Sequence, residues 1–198
     1  MWLEKLRRRF GFSGKKSSAR GKSRTARNQT STNLQIENLE DRTVPAVFKV
    51  TSLLDNTSPV ITTGHTGTMA NPYLAPSLRS AISAANASPG GNIIDLAVAG
   101  TYSIALTGGS QGNNASGEFD ILPSGGNLTI TNTSGGAAVV NGNNLNRVFD
   151  INPNPNPATA PFTVLMHDFS IENGDANGTS SSMKSGGGIQ DCGNASLT

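Results

Sequence analysis

Short apolar segments separated by Gly- and Asn-rich turns fill the chain beyond Gly91, and this spacing is the strongest constraint on its fold. Each segment has three to six residues, which is typical of strands joined by tight turns. Gly and Asn tolerate the left-handed backbone conformation that sharp corners need. The pattern predicts either a sandwich or a parallel coil of stacked rungs, and the shortness of the segments favours the coil. The segments are Asn92–Leu96, Thr101–Leu106, Phe119–Leu122, Asn127–Thr131, Ala137–Val140, Arg147–Ile151, Phe162–Met166, Phe169–Ile171 and Gly187–Gln190.

The composition supports this prediction and excludes several other classes of protein. Gly, Asn, Ser and Thr dominate the chain, whereas a helical bundle is built mainly from Ala, Leu, Glu and Lys. Cys192 is the single cysteine, so neither an internal disulfide nor a Cys-rich zinc site can form. The sequence contains no run of 18 apolar residues, and therefore predicts no membrane-spanning helix.

The net charge of +2 is divided unevenly along the chain. Eleven of the 15 Lys and Arg residues lie in residues 1–46, whereas acids outnumber bases in residues 47–198. This division predicts a basic arm joined to a mildly acidic body, and nucleic-acid binding by the body is not expected. As a helix, Met1–Phe10 would be amphipathic and could touch an anionic membrane surface. Residues 11–33 should be disordered, and they lack the apolar stretch that a signal peptide needs.

The basic arm ends in a short motif, Leu39-Glu-Asp-Arg-Thr-Val-Pro-Ala46. In this position the motif resembles the N-terminal motif of the planctomycete extracellular protein family, whose members are predicted to be exported and surface-associated. The resemblance implies an extracellular or cell-surface location, and it implies nothing about chemistry.

One helix is predicted, over Ser77–Asn86. Ser77 is a good N-cap, and Leu78, Ala81, Ile82 and Ala85 recur at the spacing that gives one apolar face. Asn86 and the Gly-containing segment after it end the helix. We expect the apolar face to cover the first rung of the stacked strands, because uncovered strand edges promote aggregation.

A second resemblance concerns the body. Phe48–Ser52, Ser77–Asn86 and Gly90–Leu96 are similar to the N-terminal region of CSLREA-type proteins, and the segments 127–151 and 162–198 look like successive coils of the pectin-lyase-like superfamily. The resemblance implies an all-β fold, a right-handed parallel β-helix with a short N-terminal capping helix. On this interpretation residues 1–46 are a basic disordered leader with the export-type motif, 47–91 a strand, loop and capping helix, and 92–198 β-helix rungs that are incomplete at the C-terminus.

Charged residues are sparse in the body, and we assign no catalytic, cofactor-binding or metal-binding residue from the sequence. Arg147 and Asp150 are interpreted as a surface ion pair. The Asn/Asp turn Ile171–Gly178 lacks the spacing of a calcium loop, so no cofactor is expected beyond weak Ca²⁺ binding there. Four acids could stack on neighbouring rungs, but they are interpreted as solvated turn residues: Asp120, Asp150, Asp168 and Asp191.

Three functions remain open at this point. The leading hypothesis is a non-enzymatic, adhesin-like module, exported or at the cell surface, which binds polysaccharide or cell-envelope components as a monomer. The alternative is a polysaccharide lyase or glycoside hydrolase fragment, because the pectin-lyase-like superfamily includes such enzymes. Nucleic-acid binding through the basic arm is the third and least favoured hypothesis.

Overall fold

The computed structural model describes residues 44–108, 112–156, 158, 160–176 and 186–198. The chain divides into two units, Met1–Asn38 and Leu39–Thr198, and the described residues all belong to the second. The predicted amphipathic segment Met1–Phe10, the basic leader and most of the Leu39–Ala46 motif lie outside the described residues.

The described residues form one α-helix, one 3₁₀ turn and a series of short strands. The helix α1 spans Leu78–Asn86, and the 3₁₀ turn spans Pro123–Gly125. The strands are β1 (Ala46–Val50), β2 (Tyr73–Ala75), β3 (Asn92–Leu96), β4 (Gly100–Ser103), β5 (Phe119–Ile121), β6 (Leu128–Asn132), β7 (Ala138–Asn141), β8 (Phe149–Ile151), β9 (Phe162–His167), β10 (Ser170–Glu172), β11 (Ile189–Asp191) and β12 (Ala195–Leu197).

Each of the nine apolar segments beyond Gly91 contains or overlaps a strand, which confirms the predicted positions of these strands. In β3, Ile94 and Leu96 are buried while Ile93 and Asp95 are half-buried, as expected where alternate side chains face the core. Strand β2 is not predicted from the sequence, because three residues between Pro72 and Pro76 carry too little alternation to identify a strand.

The strands pair in parallel within three sheets, and strands that follow one another beyond β2 mostly lie in different sheets. The largest sheet has six strands in the order β12-β9-β6-β3-β1-β2. The other two sheets have three strands each, β10-β7-β4 and β11-β8-β5. One hydrophobic cluster contains buried side chains from all three sheets and from α1, so these elements share a single core.

The predicted all-β, right-handed parallel β-helix with an N-terminal capping helix is wrong as a description of this fold. The described residues form three parallel sheets of six, three and three strands together with a helix, which is a mixed arrangement of α and β elements. The helix packs against β1, β3 and β5, and the outer edge of β1 is paired with β2. The prediction that the helix covers the first rung of a β-helix is therefore also wrong. Strand spacing predicts local structure, but it does not decide which elements share a core.

The helix itself begins as the sequence predicts. Ser77 is the N-cap, and its hydroxyl accepts a hydrogen bond from the Ser80 N–H at 3.0 Å. The predicted apolar face is buried in the shared core, and two further helix residues, Arg79 and Ser80, are buried as well. Among the described residues, no helix has the length and apolar character needed to cross a bilayer.

Asn residues occupy many of the corners between strands, as their backbone preferences predict. Among the described residues other than glycine, positive φ angles occur at six asparagines and one aspartate. These residues are Asn114, Asn143, Asn144, Asn152, Asp168, Asn173 and Asn194. Asparagine is favoured there because its short polar side chain makes the left-handed conformation less costly than in most residues.

Candidate functional site

A row of polar side chains crosses the outer face of the six-stranded sheet. Lys49 of β1 is in register with Asp95 of β3, Asp95 with Thr131 of β6, and Thr131 with His167 of β9. Lys49 and His167 are exposed, and Asp95 and Thr131 are half-buried. The Thr131 hydroxyl lies 3.3 Å from Nδ1 of His167, which in turn lies 2.6 Å from Oδ2 of Asp168. This outer polar row (Lys49, Asp95, Thr131 and His167) offers hydrogen-bond donors and acceptors at regular intervals.

Two clefts near α1 are small. Each encloses about 150 Å³, one beside Asp55 and Arg79 and the other beside Asn86 and Asn92. Sites that enclose a small-molecule ligand usually measure roughly 300–1,000 Å³. Neither cleft is large enough to enclose a sugar-sized substrate together with catalytic groups.

Three acidic side chains come together where β5 meets β8. Glu118 directly precedes β5, Asp120 lies within it, and Asp150 lies within β8 in register with Asp120. All three are buried, with 0%, 0% and 3% of their surfaces exposed. Carboxylate oxygens of the three, one from each residue, all lie within 4.8 Å of one another. We call this group the carboxyl cluster (Glu118, Asp120 and Asp150).

Donors for the carboxyl cluster are few. The Asn114 N–H donates to Oδ2 of Asp120 at 2.8 Å, and Arg147 donates from one terminal nitrogen to Oδ2 of Asp150 at 3.2 Å. Among the described residues, neither carboxylate oxygen of Glu118 has a hydrogen-bond partner, and Oδ1 of Asp120 also has none. Buried carboxylate oxygens normally accept hydrogen bonds, because burying an unpaired charge costs several kcal/mol or more. The cluster therefore carries negative charge that its described neighbours do not neutralise.

The environment of the cluster raises the pKa of two of its members. Burial raises the pKa of Asp120 to about 6, with further contributions from the charges of Glu118 and Asp150 and partial opposition from the Asn114 N–H. Burial also raises the pKa of Asp150, although Arg147 acts in the opposite direction. Cys192 lies beside the cluster with Sγ 3.6 Å from Oδ1 of Asp150, and its pKa is raised by burial and by that carboxyl. The raised pKa values of Asp120 and Asp150 reflect a site in which burial and neighbouring charge disfavour their ionised forms unless a cation is bound.

A second buried charge, Arg79 of α1, anchors the segments around the cluster. Its guanidinium donates to both carboxylate oxygens of Asp55, from Nε at 2.6 Å and from a terminal nitrogen at 3.1 Å. It also donates to the carbonyls of Gly117 at 2.7 Å and Glu118 at 3.2 Å, and it lies 4.8 Å from the centre of the Phe119 ring. Arg79 is completely buried, so these contacts fix the backbone that carries Glu118.

Asn114 joins the same backbone to the helix. Its side-chain amide donates to the Arg79 carbonyl and to the Ser83 hydroxyl, both at 2.8 Å, while its N–H binds Asp120. Its φ is 58°, a left-handed conformation, and its side-chain oxygen also accepts the N–H of Asp120 at 3.3 Å. Asn114 therefore contacts Asp120 through both its backbone and its side chain, and Asp120 is buried although it alternates along β5 with the core residues Phe119 and Ile121.

The structure changes the interpretation of several acids. Arg147 and Asp150 do form an ion pair, but the pair is buried, so its assignment to the surface is wrong. Asp120 and Asp150 are buried neighbours and not solvated turn residues, which corrects that interpretation for both. Asp168 and Asp191 are exposed, as expected of solvated residues.

Residues 171–176 of the predicted calcium-binding turn belong to the described part of the chain. The turn Ile171–Gly178 continues past residue 176 into residues outside those described. Asp175 is half-buried, and its N–H donates to the Asn146 carbonyl at 2.9 Å. The turn therefore remains a prediction of weak Ca²⁺ binding.

Glu118 is not identified as a site residue from the sequence. One signal was present, because the tripeptide Phe-Asp-Ile occurs at both 119–121 and 149–151, which suggests equivalent places in neighbouring strands. The repeat does not include Glu118, and it does not reveal that the polar face is covered. The three carboxyls come together because β5 pairs with β8, which places Asp120 beside Asp150, and because Glu118 directly precedes β5.

Comparison of the chain with protein-family models, with curated proteins and with solved structures found no significant match.

Proposed function

We propose that this chain is a non-enzymatic module, exported or held at the cell surface, which binds polysaccharide or other cell-envelope components as a monomer. The outer polar row is the observation that carries the proposal. Neighbouring strands lie about 4.8 Å apart, so its four side chains span roughly 14 Å along the sheet. An extended polar chain such as a polysaccharide carries hydroxyls at repeated intervals, and it can accept and donate hydrogen bonds along such a row.

The position of the acids favours binding over catalysis. Glycoside hydrolysis needs two carboxyls that flank a bound sugar, and a lyase needs a base that reaches the substrate. The carboxyl cluster is buried, and the two clefts near α1 are too small to enclose a sugar. A polysaccharide can reach the outer polar row without any rearrangement of the backbone, because Lys49 and His167 are exposed.

The location in this proposal rests on the sequence. The motif Leu39–Ala46 behind a basic arm resembles that of exported, surface-associated proteins. Cell fractionation of the native host tests it: we expect the protein in the medium or in the envelope fraction, and recovery of all of it in the cytosol would contradict this part of the proposal.

Binding is tested with two probes, insoluble peptidoglycan sacculi in a sedimentation assay and soluble polygalacturonate in affinity electrophoresis. We expect the full chain to bind at least one of them, and the double variant Thr131→Ala/His167→Ala to bind about tenfold more weakly. This factor corresponds to the loss of one or two hydrogen bonds of about 1 kcal/mol each. The matched control is Thr101→Ala, which removes an exposed threonine from β4, a strand of another sheet.

Two outcomes would contradict the proposal. Equal binding by the double variant and the wild type would exclude the outer polar row as the binding surface. Release of an unsaturated, ultraviolet-absorbing product from polygalacturonate by the wild-type chain would support a polysaccharide lyase instead.

A further inference from the structure

We propose that the carboxyl cluster is a divalent-cation site, with Ca²⁺ as the preferred ion. The site lies inside the protein, between β5, β8 and the segment that precedes β5, and it is separate from the outer polar row. Its role is to hold together parts of the chain that are distant in sequence. The inference does not depend on the proposed function, because it concerns other residues and another property.

Glu118 is a buried carboxylate without hydrogen-bond donors among the described residues. This side chain is completely buried, it belongs to the group of oxygens within 4.8 Å of one another, and neither of its carboxylate oxygens has a hydrogen-bond partner among the described residues. A buried carboxylate without donors is costly unless a cation or a proton compensates its charge. This observation concerns hydrogen bonding, and it is independent of the proximity of the three acids.

Two arginines, Arg79 and Arg147, lie near the carboxyl cluster. Arg79 directs its guanidinium at Asp55 and at two backbone carbonyls, one of which is the carbonyl of Glu118. Arg147 donates to Asp150 and makes no hydrogen bond to the Glu118 carboxylate. Among the described residues, Arg147 is the cationic side chain that donates to one of the three carboxyls, and a divalent cation would balance the charge that remains.

The separation of the carboxylate oxygens favours a larger divalent ion over a smaller one. Ca²⁺ binds oxygen at about 2.3–2.6 Å, so two ligands of one ion can lie up to roughly 5 Å apart, whereas Mg²⁺ binds at about 2.0–2.1 Å and limits this distance to roughly 4.2 Å. The three oxygens lie within 4.8 Å of one another, so small side-chain shifts would let one Ca²⁺ ion contact all three, and larger shifts would be needed for the shorter bonds of Mg²⁺. Carboxylate oxygens are also the ligand type that Ca²⁺ prefers.

The bound ion would tie β5 to β8 and to the residue before β5. Asp120 and Asp150 are paired across the two strands, and Glu118 is held by the contact between its carbonyl and Arg79. Because the ion binds the folded chain and not the unfolded one, it should stabilise the fold in proportion to its occupancy. At a free concentration 100 times the Kd, the unfolding equilibrium constant should fall about 100-fold.

The test uses the full chain after treatment with EDTA and dialysis into metal-free buffer at pH 7.5. Isothermal titration with CaCl₂ alone should show saturable binding. Thermal unfolding by circular dichroism in excess CaCl₂ should show a Tm about 5–10 °C above that in EDTA. MgCl₂ in a parallel titration should raise the Tm less.

Variants locate the ion. Glu118→Gln and Asp120→Asn should fold but lose most of the Ca²⁺-dependent rise in Tm. The matched control is Glu172→Gln, which changes an exposed carboxyl of β10 and should keep the full rise. If a cluster variant does not fold, the comparison of wild type and Glu172→Gln in CaCl₂ and EDTA still decides whether the chain binds the ion.

The proposal is overturned if CaCl₂ produces neither binding heat nor a rise in Tm in the wild-type chain. It is also overturned if Glu118→Gln and Asp120→Asn keep the Ca²⁺ response, because the ion would then bind elsewhere. Higher stability of Glu118→Gln than of the wild type, with no response to Ca²⁺ in either, would also overturn it, because no cation would then compensate the Glu118 charge.

Discussion

Replacement of Asp55 by Asn should destabilise the protein severely, because it leaves a buried arginine without its counter-charge. The Asp55 carboxylate accepts two hydrogen bonds from Arg79, and Oδ2 also accepts the N–H groups of Ala105 and Leu106 at 2.9 and 3.0 Å. Both side chains are almost completely buried, with 2% of Asp55 and none of Arg79 exposed. Asp55→Asn preserves the shape of the side chain but removes its charge and one of its two acceptor oxygens.

The magnitude follows from the cost of an unpaired buried charge. Removal of one partner of a buried ion pair typically costs about 3–5 kcal/mol. Arg79 would keep its hydrogen bonds to the carbonyls of Gly117 and Glu118, and this places the expected loss nearer the lower value. For a domain of this size a loss of about 3 kcal/mol lowers the Tm by roughly 6–12 °C.

The assay is urea unfolding followed by circular dichroism, with the free energy of unfolding obtained by linear extrapolation. The matched control is Asp168→Asn, because the Asp168 side chain is 67% exposed and its contact with His167 lies at the surface. An exposed pair contributes less than about 1 kcal/mol, so this control should unfold close to the wild type. The reasoning is refuted if Asp55→Asn also unfolds within about 1 kcal/mol of the wild type.

Two further predictions concern the same region. Asn114→Ala should lower the free energy of unfolding in urea by about 3 kcal/mol, because it removes side-chain hydrogen bonds to Arg79 and Ser83 and places alanine at a φ of 58°. The control Asn143→Ala has the same backbone strain at an exposed corner and should lower the free energy of unfolding by only about 1–2 kcal/mol. Equal losses in the two variants would contradict this account. Burial raises the pKa of Asp55, but the hydrogen bonds and charge of Arg79 and two backbone N–H groups outweigh this effect and lower the pKa below 3.8. The ionised Asp55 carboxylate therefore stabilises the fold fully at pH values above its unfolded-state pKa. This stabilisation is lost as the pH falls through the lower pKa of the folded state. Acid unfolding should show the difference between wild type and Asp55→Asn shrinking below about pH 4, and a constant difference would contradict the assigned pKa shift.

Arg79 illustrates how far periodicity can lead. The spacing of Leu78, Ala81, Ile82 and Ala85 predicts the buried face of α1 correctly, and Arg79 lies off that face. A charged residue at such a position is usually solvated. It is buried here because Asp55 and the backbone before β5 pack over it, and both are distant from it in sequence.

The predicted fold class shows the same limit at a larger scale. The positions of the strands follow from short apolar segments and Asn- or Gly-containing corners, and both signals are local. The arrangement of these elements into three parallel sheets with a helix in the common core depends on contacts between residues far apart in the chain. The same element order is compatible with more than one arrangement, and so the resemblance to a capped all-β fold led to the wrong class.

The positions of α1 and of most strands follow from the sequence alone, because backbone preference and the alternation of apolar side chains act over a few residues. The repeated Phe-Asp-Ile tripeptide is consistent with the pairing of Asp120 with Asp150, but from the sequence both residues are interpreted as solvated. The burial of these carboxyls together with Glu118 follows from the tertiary structure, in which β5 pairs with β8 and the Asn114 N–H donates to Asp120. Burial and charge compensation depend on which distant segments meet, and the three carboxyls come from two separate parts of the chain, residues 118–120 and residue 150.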